Sequence, residues 1–175
     1  MTNKVTLSSY SNLWTQEFEK DRNRILALLG DKLKRIEHVG STSIPGMAAK
    51  PIIDIAVAVE HLSIIDDCAI ALLSQIGFEY VPKEEFPNRM FFRRGEWGNG
   101  THHLHVYEYE SEEWKNIIFF RDYLIKYPDV AANYLNLKRE LAEICPDRQT
   151  YTLRKAPFIQ NVLAQAHEEF NNTQR

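Results

Sequence analysis

Cysteine is scarce in this chain. Cys68 and Cys145 are the only two among 175 residues, far apart, and they fit reduced, buried thiols better than a disulfide framework. A charge excess is missing too: 21 Lys and Arg face 24 Asp and Glu, for a net −3 and a pI near 6.1. That balance gives no general attraction to nucleic acid or to an anionic membrane, and neither partner is expected. No run approaches the roughly 18 apolar residues of a membrane span. The start, Thr2-Asn3-Lys4, has no apolar signal core. Repeats, low-complexity linkers, sustained heptads and a kinase-type P-loop are likewise absent. The expectation is a cytoplasmic protein of one domain, 1–175, with oligomeric state open. With 44% hydrophobic and 26% charged residues, it can bury a sizeable core.

What is present concentrates between Ile36 and Val59, reading IEHVGSTSIPGMAAKPIIDIAVAV. Arg35 to Val39 is rich in β-branched residues, Gly40-Ser41-Thr42-Ser43 breaks the run, and Pro45-Gly46 marks a turn. Gly40 lets the backbone approach a ligand closely, while Ser41, Thr42 and Ser43 add hydroxyl donors; exposed N–H groups in such a turn suit a phosphate. Pro51 to Val59 resumes as a nearly continuous apolar strand. With period two, Ile53, Ile55, Val57 and Val59 share a core face, and Ile52, Asp54, Ala56 and Ala58 share the other. A lone acid among small residues on a central strand is costly unless a partner meets it or it borders a cleft. Lys50 and Ser41 are its nearest candidate partners in sequence, and a plain Asp54–Lys50 ion pair is the structural alternative.

A second constellation is Thr101-His102-His103-Leu104-His105-Val106-Tyr107. As a strand it places His103, His105 and Tyr107 on one face and His102, Leu104 and Val106 on the other. Two histidines at i and i+2 can ligate one metal through neutral imidazole nitrogens. They can equally donate to a phosphate, act as a general base, or simply be core and surface histidines. Glu37 and His38 flank the Gly-Ser turn from opposite strand faces, so at most one of them faces a given site. Lys50, Arg93, Arg94, Arg121, Lys138 and Lys155 are cations available to an anionic ligand. Lys50 ranks first because it directly precedes the Asp54 strand, and Arg93 ranks second at the end of an apolar run.

The remaining chain reads as α/β up to about residue 110 and helical from about 111 to 175. A helix capped by Ser11 or Asn12 carries Trp14, Phe18, Ile25 and Leu28 inward. Another spans about Leu62 to Ile76, with Ile65, Cys68, Ala69, Leu72 and Ile76 inward and Gly77 as its stop. Short strands are expected at Phe78 to Val81 and Asn88 to Arg93, and helices at Trp114 to Lys126, Asp129 to Ile144 and Arg148 to about Phe170. The split allows two lobes with a cleft between them, and Lys155 could close over a ligand from the helical side.

The run HVGSTSIPGMAAKPIIDIAV resembles the hallmark of the GrpB family within the nucleotidyltransferase superfamily, and HHLHV, FRDYL and the later Tyr134, Leu137-Lys138 and Lys155 extend the likeness over nearly the whole chain. The resemblance implies an α/β (α+β) fold of nucleotidyltransferase type, a small mixed sheet with flanking helices and a helical C-terminal part. Superfamily members place a Gly-Ser turn before an acid-x-acid pair whose carboxylates hold divalent metals on nucleotide phosphates. Here Gly40-Ser41 matches the turn and Asp54 the first acid, but Ala56 stands at the second. The family does not fix a reaction; with His103 and His105 replacing the missing acid beside Asp54, the expectation is metal-assisted nucleotidyl or phosphoryl transfer, the three serving as catalytic residues and as ligands for Mg²⁺, Mn²⁺ or Zn²⁺. Gly40, Ser41, Thr42, Lys50 and Arg93 would bind the phosphates of a nucleotide or other anionic small molecule. The alternative is a noncatalytic binding module for a nucleotide, a coenzyme A precursor or another anionic metabolite, and Ala56 favours it.

Overall fold

The computed structural model describes residues 4–173, so Thr2 and Asn3 of the polar start lie outside it. Helix α1, Leu13–Leu29, begins after Ser11, whose Oγ accepts the Leu13 N–H at 3.2 Å. It buries Trp14, Phe18, Ile25 and Leu29, together with the acid Asp21. Five strands follow: β1 Leu33–Val39, β2 Ile53–Val59, β3 Glu79–Tyr80, β4 Arg89–Glu96 and β5 Asn99–Glu108. They form one sheet in the order β1-β2-β5-β4-β3, with β2 and β5 parallel and the other neighbours antiparallel. The sheet is therefore mixed.

The expected helix at Leu62 to Ile76 is shorter than its apolar pattern. Leu62–Ile64 forms a single 3₁₀ turn, and helix α2 occupies Asp67–Gln75. Asp66 is the reason: its Oδ1 accepts the Ala69 N–H at 2.9 Å and so restarts the helix as an N-cap. The rotated frame buries Ala69 and Leu73 and leaves Cys68 exposed, against the expectation of an inward thiol; Cys145 is buried as expected. Gly77, at φ +87°, ends the helix.

The two faces of β2 meet different partners. Ile53, Ile55, Val57 and Val59 join Phe92, Leu104 and Val106 in the main core, with Trp14, Phe18 and Ile25 of α1 and Ala69 and Leu73 of α2. On the other face the small Ala56 and Ala58, with Val39 and Tyr107, admit Trp114 from helix α3, Glu112–Lys126. Helices α4, Pro128–Ile144, and α5, Arg148–Thr173, complete this side. Ile44 and Met47 from the β1–β2 connection pack among Leu124, Tyr134 and Val162 of the three helices. Polar tethers fix the connection further. Arg121 of α3 donates to Glu37 Oε2 at 2.8 Å and to the His38 carbonyl at 2.9 Å, and Lys138 Nζ donates to the Ala48 carbonyl at 2.6 Å. The loop carrying the Gly-Ser turn is thus gripped from the helical side.

Candidate functional site

The turn after β1 is built around Gly40. Its φ of +71° with ψ −172° lies outside the regions open to L side chains. Ser43 Oγ donates to the Gly40 carbonyl at 2.6 Å, and Ser41–Ser43 closes into a 3₁₀ turn. Thr42 is buried, its hydroxyl donating to the Ile52 carbonyl at 3.3 Å while His38 Nε2 lies 3.0 Å from the same oxygen. With that hydroxyl proton on Ile52, His38 is the donor to Thr42. Burial pushes the His38 imidazole down to about 4, so it stays neutral. Thr42 and His38 thus brace the turn from beneath, and Glu37, on the opposite face of β1, pairs with Arg121.

Parallel pairing of β2 with β5 puts Asp54 directly opposite His103, and Ala56 opposite His105. The three polar side chains share one sheet face. His103 Nδ1 lies 3.1 Å and His105 Nε2 3.7 Å from Asp54 Oδ1. One donor atom from each residue falls within 4.8 Å of the other two. Burial opposes charge on Asp54, but hydrogen bonds from His103 and His105 outweigh it and hold the carboxyl below the usual carboxylate range. Burial pushes His105 down despite that same acid, and its Nδ1 is buried without a hydrogen-bond partner. A carboxylate oxygen with two imidazole nitrogens fits Zn²⁺ or Mn²⁺; Mg²⁺ prefers an all-oxygen shell.

Beside this triad opens a cavity of about 140 Å³ lined by Ser41, Thr42, Lys50, Asp54, His103, Lys138, Tyr151 and Lys155, closed by Leu7, Ala49 and Ile52. Three lysines from three elements converge on it. Lys50 and Lys155 lie over the Tyr151 ring at 5.1 and 4.7 Å, and Lys138 over Tyr134 at 5.1 Å. None of the three makes an ion pair among the described residues. Burial, then neighbouring cations, push Lys138 down to about 7 and Lys155 to about 8; burial and Arg148 lower Lys50 as well. The cavity holds more positive charge than Asp54 can neutralise, which suits a multiply charged anion.

Gly40, Ser41, Thr42, Lys50, Asp54, His103 and His105 are therefore gathered within one neighbourhood. Arg93 stands apart. It faces the same side as His103, its register partner on β4, but its guanidinium donates to the Gly95 carbonyl at 2.6 Å, reaches Glu79 at 3.4 Å and lies over Trp97 at 4.3 Å. Tyr151 is the lining residue that the sequence did not single out as a ligand contact; its helical spacing to Lys155 was the available signal. A second polar cluster lies on the opposite face of the sheet, where Arg94 forks onto buried Asp21 at 2.9 and 2.5 Å and His102 Nε2 comes within 3.1 Å of the same carboxylate. It borders no part of the lysine-lined cavity.

The family model described as GrpB protein matches residues 4–165. The glutamate-rich protein GrpB of Alkalihalophilus pseudofirmus is 35% identical over 164 residues, covering 91% of this chain and 94% of that one. The crystal structure of conserved protein GrpB from Enterococcus faecalis superposes with a TM-score of 0.86 at 32% identity, covering 94% of this chain and 99% of that chain. Cid1 in complex with its short product ApU gives a TM-score of 0.50 at 12% identity, over 74% of this chain and 40% of that one, a likeness of fold. The α/β architecture shares its fold with Cid1, and the chain belongs to the GrpB family.

Proposed function

We propose that this protein is a metal-assisted nucleotidyl or phosphoryl transferase acting on a nucleotide or related anionic small molecule. The observation that carries the reading is the meeting of Asp54, His103 and His105 at the edge of a cavity lined by three lysines that make no ion pair among the described residues. Asp54, His103 and His105 would hold one divalent ion, Zn²⁺ or Mn²⁺ by their donor set. When bound, such an ion supplies Lewis-acid polarisation of a phosphoryl oxygen. The chain's own groups do the rest of the positioning. Gly40 lets the Asp54 carboxylate press against the turn, Ser41 offers its hydroxyl, and Lys50 and Lys155 balance phosphate charge across the Tyr151 ring. The fold shared with Cid1, whose structure holds a dinucleotide product, supports a nucleotide as the ligand class.

Ala56, where the usual second acid stands, is the observation behind a second reading, a binding module that keeps the cavity without turnover. The two part in a thermal-shift panel of nucleotides and coenzyme A precursors, run with and without Mg²⁺, Mn²⁺ and Zn²⁺. A ligand at one hundred times its Kd raises stability by about 2.7 kcal/mol. A metal-dependent nucleotide shift that disappears in Asp54→Ala is the expected result. A metal-independent shift selects the binding module, and no shift across the panel removes nucleotides as the ligand class.

A further inference from the structure

Beyond His105 the same strand face continues into a second, larger cavity. The Tyr107 ring stacks 6.2 Å from that of His105, and past it a space of about 650 Å³ opens between β4, β5, α3 and α5. That volume lies within the roughly 300–1,000 Å³ typical of small-molecule sites. Its walls are aromatic and aliphatic: Phe86, Tyr107, Ile117, Phe120, Ile159 and Leu163.

The polar groups on its rim sort by whether they are already engaged. Asn88 Nδ2 donates to Glu113 Oε1 at 2.8 Å, and Asn116 Oδ1 lies 2.6 Å from His167 Nε2. Arg89 is different. Its guanidinium lies 4.2 Å over Phe86, it has no carboxylate within ion-pair distance among the described residues, and its Nε is buried without a partner. Glu113 shares the rim, held by Asn88, and Arg89 is the lining cation; an aromatic-walled cavity with such a cation selects a ligand of matching make-up.

We propose that this cavity binds a small aromatic acid. Its ring lies along Phe86 and Tyr107, and its anionic group sits on Arg89. Binding follows from the cavity alone and does not rest on the function proposed above.

The test uses the full chain carrying ¹⁵N-labelled tryptophan, with 4-hydroxyphenylacetate as the probe and its neutral amide as the control. The Trp114 ring lies 6.5 Å from Tyr107, whereas Trp14 sits in the core on the other side of the sheet. The expected result is a saturable shift of the Trp114 indole signal with Trp14 unmoved, the acid binding at least tenfold more tightly than the amide. Arg89→Met should erase that preference, and Leu163→Phe should weaken both probes by narrowing the cavity. Equal binding of acid and amide to the unmodified protein, or an unmoved Trp114 signal, overturns the proposal without relying on any variant. The unmodified protein separates the two readings: saturable probe binding with no metal-dependent nucleotide shift sustains the cavity and sinks the transferase.

Discussion

Gly40 lies so close to Asp54 that a β-carbon on it would stand 2.5 Å from the Asp54 Oδ2. Two constraints therefore act on one position, the left-handed φ of +71° and the carboxylate pressed against the backbone. Gly40→Ala should cost about 1–3 kcal/mol for the backbone conformation alone, and should also push Asp54 away from His103. The expected outcome is a lower Tm together with a weakened Mn²⁺- or Zn²⁺-induced Tm shift. An unchanged response to metal would mean that the carboxylate's placement does not matter to the ion.

Asp54→Ala removes the acceptor that His103 and His105 share, without emptying a core position, since Asp54 is only half-buried. The fold should persist, with an unaltered far-ultraviolet spectrum, while metal binding measured by calorimetry falls by at least tenfold. Unfolding of the variant would instead assign Asp54 a structural role.

The lysines predict a pH dependence with a definite sign. Lys138 is 2% exposed, and burial holds its amine at about 7 against an ordinary 10.5. Between those values the unfolded chain binds the proton that the native protein resists, so stability rises with pH across that window, by at most roughly 1.4 kcal/mol per unit. Denaturant melts from pH 7 to 10 should show that rise, and Lys138→Met should flatten it. A bound polyanion reverses the preference by raising the amines, so anion affinity should fall as pH climbs through 8, where Lys155 also titrates.

The buried pair on the other face carries stability. Asp21 is 1% exposed and takes both nitrogens of the Arg94 fork. Arg94→Met leaves that carboxylate buried without its main partner, at a cost of about 3 kcal/mol. Urea titration measures it. A loss below 1 kcal/mol would show that Arg24, 3.6 Å away, or His102 takes over.

The elements of the site that sequence made visible are those that depend on period and local chemistry. The break at Gly40, the alternation along Ile53 to Val59 and the pairing of His103 with His105 on one face all follow from strand geometry. Lys155 was legible from helical spacing. What stayed hidden depends on register and on distant contacts. Arg93 and Arg94 are adjacent in sequence, yet one turns into its own hairpin and the other reaches 73 residues back to Asp21. No pattern within α1 announced a buried acid, because its partner arrives only when β4 docks. Cys68 likewise read as an inward position until Asp66 reset the helix start.

Helix α5 carries Tyr151 and Lys155 on the lysine-lined cavity and Ile159 and Leu163 on the apolar one. At four-residue spacing these form one stripe, so a single helical wall closes both spaces. Pro157 falls in the middle of that stripe, where it removes a backbone donor and with it one rung of the helix ladder. One helix therefore walls both spaces, and the rung that Pro157 cannot supply falls between the turn meeting the lysine-lined cavity and the turn meeting the apolar one.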